Sequence, residues 1–195
     1  SEIIRNPEGG MLDISTKLKW NYCHGLECQA FLDVYDRYGG DYLYKYVKQF
    51  ADTMINENGR IYGYKKTNYN LDHVNSGKIL FRLYEREKDP RYKIAMDTLR
   101  AQLASQPRTS DGGFWHKKIY PYQMWLDGIY MGSPFYAQYA ATFNEPEDFA
   151  DVVSQFLIIA KHTYDKKTGL YRHAWDEIKA LPWSDLKTGQ APHVW

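Results

Sequence analysis

The sequence predicts an all-α chain of helical hairpins. Three observations carry that prediction: apolar residues at helical spacing in three segments, a start signal ahead of each segment, and a Leu-Asp pattern with a glycine five residues later that recurs at one repeat's distance. The first apolar set is Leu43, Val47, Phe50 and Met54, entered through Gly40-Asp41. The second is Tyr92, Met96, Leu99 and Leu103, entered through Asp89-Pro90. The third is Phe149, Val152, Val153, Phe156 and Ile159, entered through Glu145-Pro146. Aspartate at a cap and proline in a first turn both favour helix initiation.

A partner helix precedes each of these, starting near Trp20, Asp72 and Asp127. Leu71-Asp72-His73-Val74-Asn75-Ser76-Gly77 matches Leu126-Asp127-Gly128-Ile129-Tyr130-Met131-Gly132, and Gly25 takes the corresponding place in the first copy. The repeat unit is therefore a helix pair of roughly fifty residues, present three times. Glycine inside a helix costs about 1 kcal/mol relative to alanine, a cost that close packing of the inner helices would offset. A short glycine-bearing element follows each outer helix: Ile61-Tyr62-Gly63-Tyr64, Gly113-Phe114-Trp115-His116 and Gly169-Leu170-Tyr171-Arg172-His173. These read as extended or hairpin loops. Stacked pairs make an open solenoid or a closed ring. A ring of six would need about twice this length, so residues 1–195 are expected to form a single domain that is one half of such a ring.

Composition narrows the function. With 25 basic and 24 acidic residues and no basic stripe, the chain is a poor nucleic-acid binder. Its apolar runs are too short to span a bilayer. Cys23 and Cys28 are expected to be packing residues, not a disulfide. Aromatic residues reach 16%, with 18 tyrosines and 6 tryptophans, which suits helix interfaces and sugar stacking alike. Compartment and oligomeric state are not written in the sequence.

The repeat puts Asp72 and Asp127 at equivalent places on neighbouring inner helices. Two facing carboxylates suit glycoside chemistry, while an aspartate at a helix start also suits a plain cap. Trp125, two residues before Asp127, would desolvate its carboxyl and raise its pKa. A charged Asp72 nearby would add to that, and the helix dipole would oppose both. His116 and His173 close two successive glycine-bearing elements and could hydrogen-bond sugar hydroxyls or a uronate. No metal-ligand spacing, phosphate loop or nucleophile elbow is present, so no cofactor is expected.

Four stretches carry a resemblance: Asn70-Leu71-Asp72-His73, Arg108 through Lys117, Tyr120 through Gly128, and His173-Ala174-Trp175-Asp176. They resemble glycoside hydrolase family 105, the unsaturated rhamnogalacturonyl and glucuronyl hydrolases. The resemblance implies an (α/α)6 toroid of helical hairpins, of which this chain covers about half. It implies Asp127 as general acid/base, with Asp72, His116, Trp125, His173, Trp195 and Tyr22 contacting the sugar. It also implies an unsaturated uronic-acid oligosaccharide from pectin as substrate, hydrated at its C4=C5 enol ether without a metal or organic cofactor. The other readings are a conventional inverting glycosidase using Asp72 and Asp127, and a non-catalytic helical-repeat sugar binder.

Overall fold

The helices begin close to their start signals. The structure is a computed structural model and describes residues 2–9, 12 and 17–194. After a short α1 (Glu2–Arg5), the first pair is α2 (Tyr22–Tyr38) and α3 (Asp41–Met54). The second pair is α4 (Leu71–Asn75) with α5 (Ile79–Glu87), followed by α6 (Pro90–Ala104). The third is α7 (Leu126–Phe143) and α8 (Asp148–Thr163). Short strands lie near the third pair: β1 (Gln123–Trp125), β2 (Tyr164–Asp165), β3 (Leu170–Tyr171) and β4 (Ala174–Asp176). The chain divides into two compact units, Ser1–Lys65 with Asp72–Ala101 and Lys66–Leu71 with Gln102–Trp195.

In the first unit, α2 packs against α3 and α5. All four apolar residues expected on α3 are buried, as are Tyr92, Met96 and Leu99 of α6. Gly25 lets α2 approach the backbone: a Cβ there would lie 2.6 Å from the Ser76 Cα and 2.7 Å from its N. Ser76 Oγ donates to the Asn21 carbonyl at 2.7 Å, and Asn75 Nδ2 donates to the Tyr22 carbonyl at 2.9 Å. This close seam coincides with a break that sequence periodicity does not show. The second inner helix passes through a 3-10 turn at Ser76–Lys78 between α4 and α5. Trp20 stacks on Phe50 at 5.7 Å and donates its indole N–H to the His73 carbonyl at 2.8 Å. At the outer edge, Asp52 accepts from Arg91 and from the Tyr92 hydroxyl, both at 2.8 Å. Burial raises the Asp52 carboxyl pKa, but hydrogen bonds from Lys48, Tyr92 and Arg91 outweigh it and leave the group below its ordinary value.

In the second unit α7 packs on α8. Phe135, Tyr136 and Ala140 of α7 and Val152, Gln155 and Ile159 of α8 are buried, and Met124, Ile159 and Trp175 form a smaller apolar cluster. Pro134 lies inside α7. The third apolar set is a correction. Val152 and Ile159 are buried, but Phe149, Val153 and Phe156 are 41%, 55% and 46% exposed. Phe156 lines an open apolar groove with Leu126, Ile129, Tyr130 and Pro134 of α7, and the spacing of apolar residues cannot distinguish a covered face from an uncovered one. Both cysteines are free. Among the described residues, no helix is long and apolar enough to cross a membrane.

Candidate active site

The second unit gathers Asp127, His116, Trp125 and His173 around the start of α7. The loop that carries His116 is held from α8. Arg108 makes a two-pronged pair with Asp151 at 2.8 and 2.6 Å. Gln155 accepts the Phe114 N–H at 2.7 Å and donates to the Gly112 carbonyl at 3.1 Å. Asp111 meets His162 at 2.6 Å. Burial raises the Asp151 and Asp111 carboxyl pKa values. Arg108, Gln155 and Tyr136 reverse that for Asp151, and His162, Thr109 and Lys161 for Asp111, so both lie below the ordinary range. These ionised contacts keep the Arg108–His116 stretch in one shape.

Backbone pairing completes the arrangement. The His116 N–H donates to the Gln123 carbonyl at 2.8 Å, and its carbonyl accepts from Leu71 at 3.1 Å. Strand β1 runs antiparallel to β4, with Gln123 opposite Asp176 and Trp125 opposite Ala174. The Leu126 N–H donates to the His173 carbonyl at 2.7 Å, so the second histidine joins the helix start directly. Trp125 is fixed by its indole N–H on Gln123 Oε1 at 3.1 Å. It lies nearly parallel to His116, centroids 4.9 Å apart, and edge-on to His173 at 5.4 Å.

Asp127 is the second residue of α7, inside its first turn, while the N-cap position belongs to Trp125. Asp127 is thus not the cap that its place in the sequence allows. Its Oδ1 is buried and has no hydrogen-bond partner among the described residues. A ring nitrogen of His116 and a carboxylate oxygen of Asp127 lie within 4.8 Å of each other. Those two atoms are also close enough to face one cation together. Gly128 makes the arrangement possible, because a Cβ there would come within 2.9 Å of His116 Nδ1.

Of the other expected residues, Asp72 is buried in the first turn of α4 and Tyr22 opens α2 half-exposed, both in the first unit. Trp195 lies outside the described residues. Residue patterns missed Tyr120, whose ring lies nearly parallel to Trp125 at 5.0 Å. They also missed Gln123, the acceptor that sets the indole. Tyr120 and Gln123 both stand inside the Tyr120–Gly128 stretch, so that motif was the signal available.

Solved structures resemble the chain, three of them as follows. A family 105 glycoside hydrolase from C. acetobutylicum shares 42% identity and superposes with a TM-score of 0.91 over 100% of this chain and 52% of its own. A possible family 105 member from Klebsiella pneumoniae matches at 20% identity and TM-score 0.76, over 87% of this chain and 44% of its own. One from Salmonella enterica matches at 24% and 0.71, over 85% and 45%. The latter two bear on the fold alone. The chain spans about half the length of these structures, consistent with a partial α/α toroid. Residues 1–195, the whole chain, match Glycosyl Hydrolase Family 88, and the chain belongs to that family.

Proposed function

We propose that this chain carries the acid/base half of a hydrolase that removes an unsaturated uronic acid from the end of a pectin-derived oligosaccharide, with Asp127 as the single acid/base. The carrying observation is the Asp127 carboxyl itself. One oxygen is buried without a donor among the described residues, beside His116 in an aromatic-walled mouth. A carboxyl oxygen so placed is free to face a substrate atom and exchange a proton with it.

The substrate carries a C4=C5 double bond joined to the ring oxygen as an enol ether. Asp127 protonates C4, and the positive charge falls on C5 and the ring oxygen. Water then adds to C5 and returns its proton to the Asp127 carboxylate. The C5 hemiketal opens by breaking its bond to the ring oxygen, which becomes the hydroxyl of a hemiacetal at C1. That hemiacetal expels the neighbouring sugar as an alcohol. One group acts first as acid and then as base, the usual economy of proton transfer in enzymes. His116 and His173 are suited to hold hydroxyl or carboxylate oxygens, Trp125 to cover the ring, and Asp72, Tyr22 and Trp195 keep the sugar-contacting roles that the resemblance implies.

The test is the loss of ultraviolet absorbance when the full-length enzyme meets an unsaturated rhamnogalacturonan disaccharide, followed by proton NMR in deuterated water. One deuteron at C4 of the product is expected. Release of the sugar with no label at C4 removes the hydration route, and cleavage of saturated oligomers alone selects the conventional inverting reading.

A further inference from the structure

The mouth beside Asp127 has two arms, built by different stretches of chain. Arg108 through His116 forms one. Strand β1, paired with β4, forms the other and carries Trp125. The arms meet in the near-parallel stack of His116 and Trp125, 4.9 Å between centroids. They also meet at Gly113, which lies so close to Met124 that a Cβ would come within 2.1 Å of its Sδ. Met124 in turn stands opposite Trp175 in the strand pair.

His162, near the end of α8, touches both arms at once. Its ring lies face to face on the Trp175 indole, centroids 3.5 Å apart and planes 8° from parallel. Its Nε2 meets Asp111 Oδ2 at 2.6 Å, and the side chain is only 20% exposed. The His162 carbonyl accepts Gln190 Nε2 at 2.8 Å, and residue 190 bridges to Trp175. Gly189 closes on the same indole, where a Cβ would lie 3.0 Å from Nε1. Lys161 also reaches Asp111, at 3.6 Å, but its side chain is 69% exposed and such pairs contribute little. The place calls for a flat ring and an edge donor in one side chain. Phenylalanine would keep only the stack, and glutamine only the donor.

We infer that His162 is a positioning residue: it locks the loop that ends at His116 to the strand pair that carries Trp125, so that the two walls beside Asp127 keep one spacing. The inference rests on the reaction proposed above. Arg108 and Gln155 tie the loop to α8, whereas the contacts of His162 extend that tie to β4. Ser110 adds a second link beyond β4 by donating its N–H to Glu177 at 2.9 Å, but that bond is exposed, where water competes for both partners. A shift of about 1 Å beside a reacting group can cost up to about 100-fold in rate.

The experiment compares the full-length enzyme with His162→Phe, His162→Gln, Asp111→Ala and the Asp111→Ala/His162→Phe double variant on an unsaturated rhamnogalacturonan disaccharide. His162→Phe and Asp111→Ala are each expected to lower kcat about 10-fold, with KM within about threefold. The double variant should fall no further, because both changes remove one contact. His162→Gln, which keeps the donor, should recover most of kcat. A second readout is independent of turnover. With fluorotryptophan incorporated and Trp125 assigned by its loss in Trp125→Phe, the Trp125 fluorine NMR resonance should shift in His162→Phe and move back in His162→Gln. Should His162→Phe not fold, Asp111→Ala carries both readouts. Lost stability with kcat, KM and the Trp125 resonance unchanged overturns the positioning role, as does a double variant whose losses multiply. If the wild type turns over no unsaturated substrate, the reaction fails separately and His162 is judged on the resonance. Movement there upholds the link between the arms, and a still resonance overturns it.

Discussion

The stretch between α3 and α4 and the stretch between α6 and α7 occupy equivalent places in the repeat, yet they do different things. The earlier one closes on itself. Ile55 bridges to Ile61, the Asn56 side chain accepts the N–H groups of Asn58 and Arg60, and Gly59 lies so near Ile94 that a Cβ would come within 2.6 Å of it. The later one opens outward and presents His116, Tyr120 and Trp125 beside Asp127. The repeat supplies a scaffold, and the acid/base chemistry proposed above falls where the loop carries aromatic and imidazole groups past the helix start. Such a division is common where rigid elements position variable loops.

If the proposed function holds, removing Asp127 in the second unit should cost activity, and removing Asp52 in the first should cost stability. The largest effect is expected from Asp127→Asn: kcat should fall about 10³-fold, within the range for loss of a general acid/base. Its denaturation free energy should stay within about 0.5 kcal/mol of wild type. Turnover near the wild-type level would take the chemistry away from this residue.

Next comes Gly25→Ala, where the new methyl meets backbone at Ser76 and not a side chain that can swing aside. A cost of about 1–3 kcal/mol in chemical denaturation is expected, the range for overpacking, with little change in kcat of the folded enzyme. Gly128→Ala tests the other side. There the methyl meets the His116 ring at 2.9 Å, so kcat/KM should fall about tenfold and stability should change less than in Gly25→Ala. A variant at 128 that unfolds without an activity defect would blur the two regions into one.

Asp52→Asn is expected to cost about 1 kcal/mol at neutral pH by weakening the contacts with Arg91 and Lys48, and to leave kcat alone. Asp52 titrates below its ordinary value of 3.8 in the folded chain, so its contribution is present above that pH and disappears as the pH falls through the lowered one. The gap between wild type and variant should therefore close on acidification, and a gap that widens would reverse the assignment. The smallest effect is expected at Gly132→Ala. This is the repeat's counterpart of Gly25, but the methyl would sit at an ordinary 3.4 Å from Leu71 Cδ2. Helix propensity should then prevail, with a gain of up to about 1 kcal/mol measured by thermal or chemical denaturation.

Gly25 and Gly132 also show how far the sequence could be read. Both stand out as glycines inside helices, and the repeat gave them one meaning. Only the packed helices separate them, because what a methyl meets depends on a residue far away in the chain, Ser76 for Gly25 and Leu71 for Gly132. The outer helices were legible from Gly40-Asp41 and Asp89-Pro90, and α8 begins two residues beyond Pro146. Asp127, His116 and His173 were legible because motif and repeat agreed on them. The pairing of β1 with β4 was not, because no local pattern reports a pairing between strands so far apart in the chain. The exposed side of α8 was illegible for the same reason: periodicity marks an apolar stripe without naming its neighbour.

The pairing of β1 with β4 has a consequence for how the molecule loses its competence. Gln123–Trp125 and Ala174–Asp176 are three residues each and pair as a two-stranded sheet, with Gln190 bridged to Trp175. Short strands joined across a long loop close late in folding and come apart early under mild stress, before helices with many local bonds begin to melt. Gentle warming or dilute urea should therefore silence the mouth while the circular dichroism of the helices is still nearly intact.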